Sequence, residues 1–217
     1  MSIKDRILRL LYPPKCAFCG KLIDGENTGV CDDCAKTLPY VRGGAVVQKF
    51  PFVTACTAPL YYENGVRDSL LRYKFAKNTA YAQVYANFLR KSIDENVNNC
   101  DIITWVPLSR RRLRQRGYDQ ARLICEETAK LMGTDCRGLL RKKRDIPVQS
   151  GAGGLDKRRA NVSGVYEVTD SDAVCGKDVL LIDDIVTTGS TFSECARMLM
   201  LSGAKHVYCA AVARRRD

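Results

Sequence analysis

Residues 179–191 read Val179-Leu180-Leu181-Ile182-Asp183-Asp184-Ile185-Val186-Thr187-Thr188-Gly189-Ser190-Thr191. The apolar residues at the start of this stretch predict a buried strand, and the turn of small and hydroxylated residues leads into a predicted helix. The two carboxylates stand where the predicted strand ends. Because open α/β sheets bind ligands at the carboxyl ends of their strands, the stretch predicts a ligand site.

The residue types in this stretch favour a sugar phosphate as the ligand. Backbone N–H groups and the dipole at a helix N-terminus attract a phosphate, and Gly189 permits a close approach of the backbone. Asp183 and Asp184 provide acceptors for vicinal ribose hydroxyls, and hydroxyl donors come from Thr187, Thr188, Ser190 and Thr191. The alternative is a helix N-cap beside two exposed acids, although adjacent carboxylates after a buried strand are costly unless partnered. The hypothesis requires an open pocket and acids that form no ion pair within their own chain.

The surrounding pattern alternates between short apolar segments and amphipathic ones. Strands are predicted at residues 52–62, 102–107, 139–140, 164–168 (as an edge strand), 179–182 and 207–212. Helices are predicted at residues 65–74, 79–92, 118–132 and 191–202, with a basic loop before the third. Strands that alternate with helices predict an α/β fold in which helices flank a parallel sheet. A break near residue 45 divides the chain into a small module, residues 1–45, and a main domain, residues 46–217.

The small module carries two Cys-x-x-Cys pairs, formed by Cys16, Cys19, Cys31 and Cys34. Two such turns supply four thiolates for a tetrahedral zinc ion, and four sulfur ligands leave no open position for catalysis. A module of this size also needs a metal to compensate for its small core. We therefore predict a structural zinc site of the zinc-ribbon type, with an iron–sulfur cluster or a redox pair as alternatives. The other seven cysteines are interpreted as small buried apolar residues.

The chain of 217 residues has a formal net charge of +11, and the charge is uneven. Residues 110–159 contain 15 Lys and Arg against 6 Asp and Glu, and Arg214, Arg215 and Arg216 follow near the end. The basic runs predict either an anion-binding face or solvated loops. No apolar run reaches the roughly 18–20 residues that span a bilayer, and no signal-peptide layout is present, so we expect a cytoplasmic protein without a membrane span.

The stretch at residues 179–191 resembles the 5-phosphoribosyl-1-pyrophosphate (PRPP) motif of type I phosphoribosyltransferases. Together with the four cysteines, it makes the chain resemble the ComF family of competence-associated proteins (the ComFC/GntX-like group). Further matching segments are Tyr62-Glu63-Asn64-Gly65-Val66-Arg67, Lys74-Phe75, Val106-Pro107-Leu108-Ser109, Arg116-Gly117-Tyr118-Asp119-Gln120 and Arg159-Ala160-Asn161-Val162. The resemblance covers nearly the whole chain. One departure is Asp119, where the family usually has Asn.

The resemblance implies a set of ligands and contacts. Asp183 and Asp184 would hold the ribose hydroxyls of PRPP, and residues 187–191 would hold its 5-phosphate. Ser109, Arg110 and Arg116 would bind pyrophosphate or another anion, and Mg²⁺ would bridge the pyrophosphate and the sugar. Residues 141–160 would form the flexible loop of the type I enzymes, with Lys142, Lys143 and Lys157 as its candidate groups.

The resemblance also implies a function in natural transformation. The chain would act as an accessory protein in the handling or uptake of external single-stranded DNA, with competence-machinery proteins as partners. Basic segments near Trp105, Tyr118 and Tyr166 fit that ligand, although Trp105 also fits a core position. The alternative is an active phosphoribosyltransferase that transfers phosphoribosyl from PRPP to a base or another nucleophile. A third hypothesis is that the protein only senses PRPP and works as an interaction scaffold. Whether turnover occurs, and the oligomeric state, stay open.

Overall fold

A computed structural model describes residues 13–23, 29–41, 50–76, 78–97, 99–143 and 164–216. Its helices are α1 (Asp32–Thr37), α2 (Asn64–Phe75), α3 (Tyr81–Asn96), α4 (Arg110–Arg116), α5 (Gln120–Met132) and α6 (Ser190–Leu201). Its strands are β1 (Ala55–Thr57), β2 (Leu60–Tyr61), β3 (Ile102–Trp105), β4 (Asp135–Cys136), β5 (Leu140–Lys142), β6 (Tyr166–Val168), β7 (Asp178–Val186) and β8 (His206–Arg214). Within these ranges no helix has the length and apolar character needed to cross a membrane.

The main sheet is parallel and has the order β1-β8-β7-β3-β4, with β2 pairing to β8 beyond the end of β1. The prediction of a parallel sheet flanked by helices is confirmed. The segment at residues 164–168 is not an edge strand of this sheet. It contributes β6 to a separate antiparallel pair with β5, in which Leu140 lies opposite Val168.

Two layers cover the main sheet. Helices α2, α3 and α5 pack on one face, and α6 packs on the other together with the β5–β6 pair. Alternate residues of β7 enter these two cores, because successive side chains of a strand point to opposite faces. Leu180 and Ile182 belong to the first core, whereas Val179 and Leu181 belong to the second.

Two predicted boundaries beside the candidate site are wrong. The predicted strand at residues 179–182 continues to Val186, because the neighbouring strand β8 pairs with it as far as Arg214. The acids therefore lie inside the strand and not after it. The predicted basic loop is largely helix α4, which Ser109 caps by accepting a hydrogen bond from the Arg112 N–H (3.3 Å).

The cysteine module packs into the core beneath α2 and α3. The Phe18 ring meets the rings of Tyr85 and Phe88 edge-on, with centroids 6.4 and 5.7 Å apart. The Arg72 side chain on α2 donates hydrogen bonds to the carbonyl oxygens of Ala17 (2.9 Å) and Phe18 (2.7 Å). The described part of the module thus shares one hydrophobic core with the main sheet. The division near residue 45 stays a prediction.

Candidate functional site

The four predicted cysteine ligands lie together. The sulfur atoms of Cys16, Cys19, Cys31 and Cys34 all lie within 4.8 Å of one another. The Cys19 and Cys31 sulfurs are 3.6 Å apart. Sulfurs at tetrahedral corners about 2.3 Å from a zinc ion would be separated by roughly 3.8 Å. The donor set and its spacing therefore fit a four-sulfur structural zinc site.

The local backbone favours the thiolate form of Cys16 in this cluster. Burial raises the pKa of the Cys16 thiol, but backbone hydrogen bonds from Cys19, Cys31 and Phe18 outweigh burial and lower it to about 7. One of these is the Cys31 N–H donating to the Cys16 sulfur at 3.4 Å. Gly20 closes the first turn with a φ of 77°, which is the left-handed conformation that glycine adopts without a Cβ penalty.

The second site lies at the carboxyl edge, which we define as the side of the main sheet where β3, β7 and β8 end. Here Asp183 lines a cavity of about 30 Å³ with every residue of the predicted phosphate loop, Thr187, Thr188, Gly189, Ser190 and Thr191. The structure therefore brings six of the seven predicted PRPP-binding residues together. The cavity has room for about one water molecule, so in this conformation it does not hold a phosphorylated pentose.

Gly189 is the N-cap of helix α6 and has a φ of 70°. The ring of Phe50 occupies the space that a Cβ on Gly189 would need. The sequence predicted that Gly189 permits a close approach to its backbone. In the structure the Phe50 ring makes that approach, and Phe50 was not among the predicted site residues. Both the left-handed backbone and this contact require glycine here.

Asp184 lies apart from that cavity and forms an ion pair with Lys74 of α2, at 2.8 Å between Oδ2 and Nζ. Both side chains are mostly buried, with 12% and 15% of their surface exposed. Asp183 and Asp184 are consecutive strand residues, so their side chains point toward opposite faces of the sheet. The requirement that both acids be free of ion pairs is met by Asp183 and not by Asp184 among the described residues.

The surroundings of Asp183 disfavour the charged form of its carboxyl group. Burial raises the pKa of its carboxyl well above the usual range, and the charge of Asp184 adds to this effect. A hydrogen bond from the Asp184 N–H to Asp183 Oδ1 (2.8 Å) acts in the opposite direction but does not compensate. The ionised form of Asp183 would therefore gain from a cation or a hydroxyl donor in the cavity.

A larger, basic cavity of about 470 Å³ lies between the start of α4 and the β5–β6 pair. Its lining residues are Ser109, Arg110, Arg141, Lys142, Lys143 and Glu167. Hydrogen bonds from Lys143 and Arg141 lower the pKa of Glu167, so its single negative charge is set against four positive ones. This cavity is suited to a multiply charged anion.

The structure separates Arg116 from the other two predicted anion-binding residues. Arg116 lies at the opposite end of α4, where it donates to Oε1 of Gln120 (2.6 Å) and covers the Phe75 ring at 5.4 Å. Asp119 has a structural role, since its carboxylate accepts from the N–H groups of Leu108 (3.0 Å) and Arg122 (3.2 Å). It thereby ties the segment after β3 to the start of α5.

The aromatic residues proposed for base stacking are mostly packed inside the protein. Tyr166 is buried, and Trp105 lies against the backbone of Gly138 and beneath the Arg122 guanidinium. Tyr118 stacks edge-on against Tyr73. Phe75 entered the sequence comparison only as part of the matching segment Lys74-Phe75, without a role, and its surface is 63% exposed.

The sequence contains a signal for the exposure of Phe75. The buried stripe of α2 is formed by Val66, Ser69, Leu70 and Tyr73. Phe75 falls outside the helical period of that stripe, so its exposure was predictable.

Two family models match the sequence. The double zinc ribbon domain matches residues 7–46, and the phosphoribosyl transferase domain matches residues 136–217. The chain combines a zinc ribbon with a phosphoribosyl transferase domain. The zinc-ribbon match contains four cysteines and no histidine, which is sufficient for one four-sulfur site.

Relatives of similar length match most of the chain. The chain is 25% identical to the DNA utilization protein YhgH of Salmonella typhimurium, over 91% of this chain and 96% of that protein. It is 25% identical to the competence protein ComFC of Streptococcus pneumoniae, over 89% and 96% of the two chains. It is 23% identical to competence protein F of Haemophilus influenzae, over 92% and 90%. The resemblance to the ComF family is confirmed.

Solved structures also match parts of the chain. The glutamine PRPP amidotransferase of B. subtilis matches with a TM-score of 0.43 and 21% identity, over 60% of this chain. This chain spans about a quarter (26%) of that enzyme. The adenine phosphoribosyltransferase of Thermoanaerobacter pseudethanolicus matches with a TM-score of 0.40 and 16% identity, over 64% and 83% of the two chains.

Lys157 and most of the predicted flexible loop lie outside the described residues.

Proposed function

We propose that this protein binds PRPP at the carboxyl edge and handles single-stranded DNA on the basic surface around that site. The observation that carries the proposal is the convergence of three basic segments, residues 110–116, 141–143 and 214–216, on this edge. The first follows β3, the second lines a cavity with Ser109, and the third continues β8. The printed names of the relatives, which refer to DNA utilization and competence, support the DNA part of the proposal.

The third segment runs directly beside the predicted phosphate loop. The Arg215 N–H donates to the Val186 carbonyl at 3.1 Å, one residue before that loop begins. Arg216 covers the Tyr61 ring at 4.4 Å and pairs with Glu63 at 2.6 Å. These contacts place positive charge on the β8 side of the loop, while α4 places it on the β3 side. A polyanion or a sugar phosphate would meet positive potential from both directions.

In the proposed PRPP complex the loop at residues 187–191 opens to admit the 5-phosphate. The ribose hydroxyls take the place of Lys74 as partners of Asp184. They also donate hydrogen bonds to the carboxylate of Asp183 and so compensate for its burial. The pyrophosphate occupies the basic cavity at Ser109 and Arg110. Carboxylate oxygens such as those of Asp183 are of the type that Mg²⁺ prefers, and the ion would supply charge neutralisation between pyrophosphate and sugar.

Calorimetry with PRPP and Mg²⁺ tests this part of the proposal. We expect the double variant Asp183→Asn with Asp184→Asn to lose Mg²⁺-dependent PRPP binding while its circular dichroism stays unchanged. The matched control is Asp172→Asn, which removes a charge from an exposed residue outside the edge. Retained PRPP affinity in the folded double variant would exclude the assignment.

For single-stranded DNA we propose that Phe75 provides a stacking surface beside the phosphate-binding arginines. Arg116 already covers one side of the Phe75 ring, and Lys74 connects the same helix end to Asp184. Base stacking on an aromatic ring contributes about 1–3 kcal/mol per base and tolerates any sequence. This surface would suit a protein that handles incoming strands together with competence-machinery proteins in the cytoplasm.

The stacking role is tested by comparing Phe75→Leu with Phe52→Leu in fluorescence anisotropy with labelled oligonucleotides. Phe52 is 53% exposed but lies just before the amino end of β1. We expect a roughly 5- to 100-fold loss of affinity for Phe75→Leu only. Equal affinities of the two variants would remove Phe75 from the DNA site.

The phosphate contacts are tested by the salt dependence of binding. Arg110→Ala with Arg111→Ala should reduce the slope of log K against log salt by about 0.7 for each lost phosphate contact. The control pair is Lys177→Ala with Lys205→Ala, two exposed residues at the amino ends of β7 and β8. If both pairs change the slope equally, the binding is not localised to the carboxyl edge.

A second candidate function, transfer of phosphoribosyl from PRPP to a base or another nucleophile, is favoured by the basic cavity of about 470 Å³. In that reaction the nucleophile bonds to the anomeric carbon, and the bond to the pyrophosphate oxygen breaks. The cavity at Ser109 and Arg110 would receive the leaving group. Incubation with PRPP, Mg²⁺ and a panel of bases or nucleic acids, followed by a pyrophosphate assay, distinguishes turnover from binding alone.

A further inference from the structure

Two cysteines outside both described sites lie in direct contact. The sulfur atoms of Cys125 and Cys136 are 2.9 Å apart. Cys125 lies on α5 and is fully buried, whereas Cys136 lies on the edge strand β4 and is half-buried. From the sequence alone, both are interpreted as small buried apolar residues, because most of the cysteines outside the two Cys-x-x-Cys pairs have apolar neighbours.

The contact is held by the structure on both sides. Helix α5 ends at Gly133, which has a φ of 64°, and the Thr134 N–H donates to the Ala129 carbonyl at 3.1 Å. On the strand side, Cys136 is in register with Ile103 of β3, and the next residue, Arg137, donates to the Ile103 carbonyl at 3.0 Å. The two sulfurs therefore approach each other from a capped helix and a paired strand, and not from loose segments.

The environments of the two thiols differ in a way that assigns them different roles. A hydrogen bond from the Cys125 thiol lowers the pKa of Cys136, and nearby Arg122 contributes in the same direction. Burial raises the pKa of Cys125 well above its ordinary value. Cys136 is thus the more accessible and more acidic thiol, and Cys125 is the buried thiol beside it.

We propose that Cys125 and Cys136 form a redox-active dithiol site whose substrates are small-molecule disulfides. The Cys136 thiolate attacks one sulfur of the small disulfide, which forms a mixed disulfide and releases one thiolate. Cys125 then loses its proton and attacks the Cys136 sulfur, which forms the Cys125–Cys136 bond and releases the second thiolate. The protein dithiol is oxidised by two electrons and the small disulfide is reduced to two thiols. One of the released thiolates takes the Cys125 proton, and the other takes from solvent the proton that Cys136 gave up when it ionised.

The oxidised form would tie α5 covalently to the edge strand β4. That strand leads directly to β5, which carries part of the basic cavity, and α5 is tied at its start to the segment that precedes α4. The dithiol thus connects the two chain segments that build the cavity. The proposal stands on the cysteine contact alone and does not depend on PRPP or DNA binding.

The test uses the full zinc-loaded chain and oxidised glutathione, followed by alkylation and peptide mapping. We expect a peptide linked through Cys125 and Cys136 in the wild type. Cys125→Ser should instead accumulate glutathione on Cys136, because the resolving thiol is absent. Cys136→Ser should leave Cys125 as an unmodified thiol, since Cys125 is buried.

Cys100→Ser is the matched control, because Cys100 is also half-buried but burial raises the pKa of its thiol to about 11. This variant should behave as the wild type, and Cys136 should react at least about tenfold faster than Cys100. Zinc retention is measured in parallel, so that oxidation of the zinc ligands is recognised. Full alkylation of both Cys125 and Cys136 in the wild type after equilibration would overturn the proposal, whatever the folding of the variants.

Discussion

Asp183 and Asp184 are adjacent in sequence but differ in what surrounds them. Asp184 faces α2 and is compensated by Lys74, while Asp183 faces the α6 side and borders a cavity with room for about one water molecule. Residue type and spacing suggested one shared role for the two acids. The alternation of side chains along the strand gives them separate partners, and a contact with Lys74, more than 100 positions away, decides which acid is paired.

The uncompensated burial of Asp183 predicts that its ionisation destabilises the protein. Burial raises the folded-state pKa above the unfolded value, so between the two pKa values the folded chain keeps a proton that the unfolded chain has released. Stability therefore falls as the pH rises through this window. We expect Asp183→Asn to have a larger unfolding free energy than the wild type at pH 7, with the difference shrinking toward pH 4. Urea unfolding at a series of pH values measures this.

Asp184→Asn is the paired control and should have the opposite effect. It leaves the mostly buried Lys74 ammonium without its partner, which should lower the unfolding free energy by about 2–3 kcal/mol. The double variant with Lys74→Met should recover most of that loss. If Asp183→Asn and Asp184→Asn change stability alike, the two acids share one environment and the distinction is wrong.

Among the secondary-structure elements, the sequence predicted the long, periodic ones well. Helices at residues 65–74 and 118–132 appear as α2 and α5, and Gly133 caps the end of α5. Elements defined by distant pairing were missed or shortened. Strand β7 extends through both acids because β8 pairs with it, and β6 leaves the main sheet because its partner is β5.

In the candidate site, too, the local sequence patterns were predictable and the contacts between distant residues were not. The four cysteines and the loop at residues 187–191 were predictable, because the residues of each pattern lie close together in the sequence. Lys74, Phe50 and the Cys125–Cys136 contact were not, because each depends on packing between elements that are distant in sequence. Asp119 was placed inside the predicted helix at residues 118–132, and its role as the N-cap of α5, together with its second hydrogen bond to Leu108, required the structure.

The two hydrogen bonds of Asp119 make a prediction about helix α5 and the segment before α4. Asp119→Ala removes the N-cap and the acceptor for the Leu108 N–H, so we expect a loss of about 1–2 kcal/mol in unfolding free energy. Asp119→Asn, which restores the residue usual in the family, keeps an acceptor oxygen and should stay within about 0.5 kcal/mol of the wild type. Chemical denaturation measures both. An equal loss in the two variants would show that the charge, and not the cap, is what matters.

Across the whole molecule, buried contacts join the zinc ribbon to helices α2 and α3, which cover one face of the main sheet. Phe18 of the first cysteine turn packs on Tyr85 of α3, and Arg72 of α2 binds the carbonyl oxygens of that turn. Two residues further along α2, Lys74 pairs with Asp184 at the carboxyl edge. The metal site is therefore connected to the candidate PRPP site through a single helix.

Removal of zinc should consequently affect more than the module that holds it. Without the metal, the four cysteine sulfurs are no longer held together by a common ion, and the first cysteine turn loses its shape. Arg72 and Phe18 then lose their contacts across the module boundary. We expect chelation to increase hydrogen exchange in α2 and α3 together with residues 13–41, while β7 and β8 keep most of their protection. Hydrogen-exchange mass spectrometry of the full chain, with and without chelator, measures this. Exchange that increases only within residues 13–41 would mean that the zinc ribbon unfolds independently and that α2 does not couple it to the carboxyl edge.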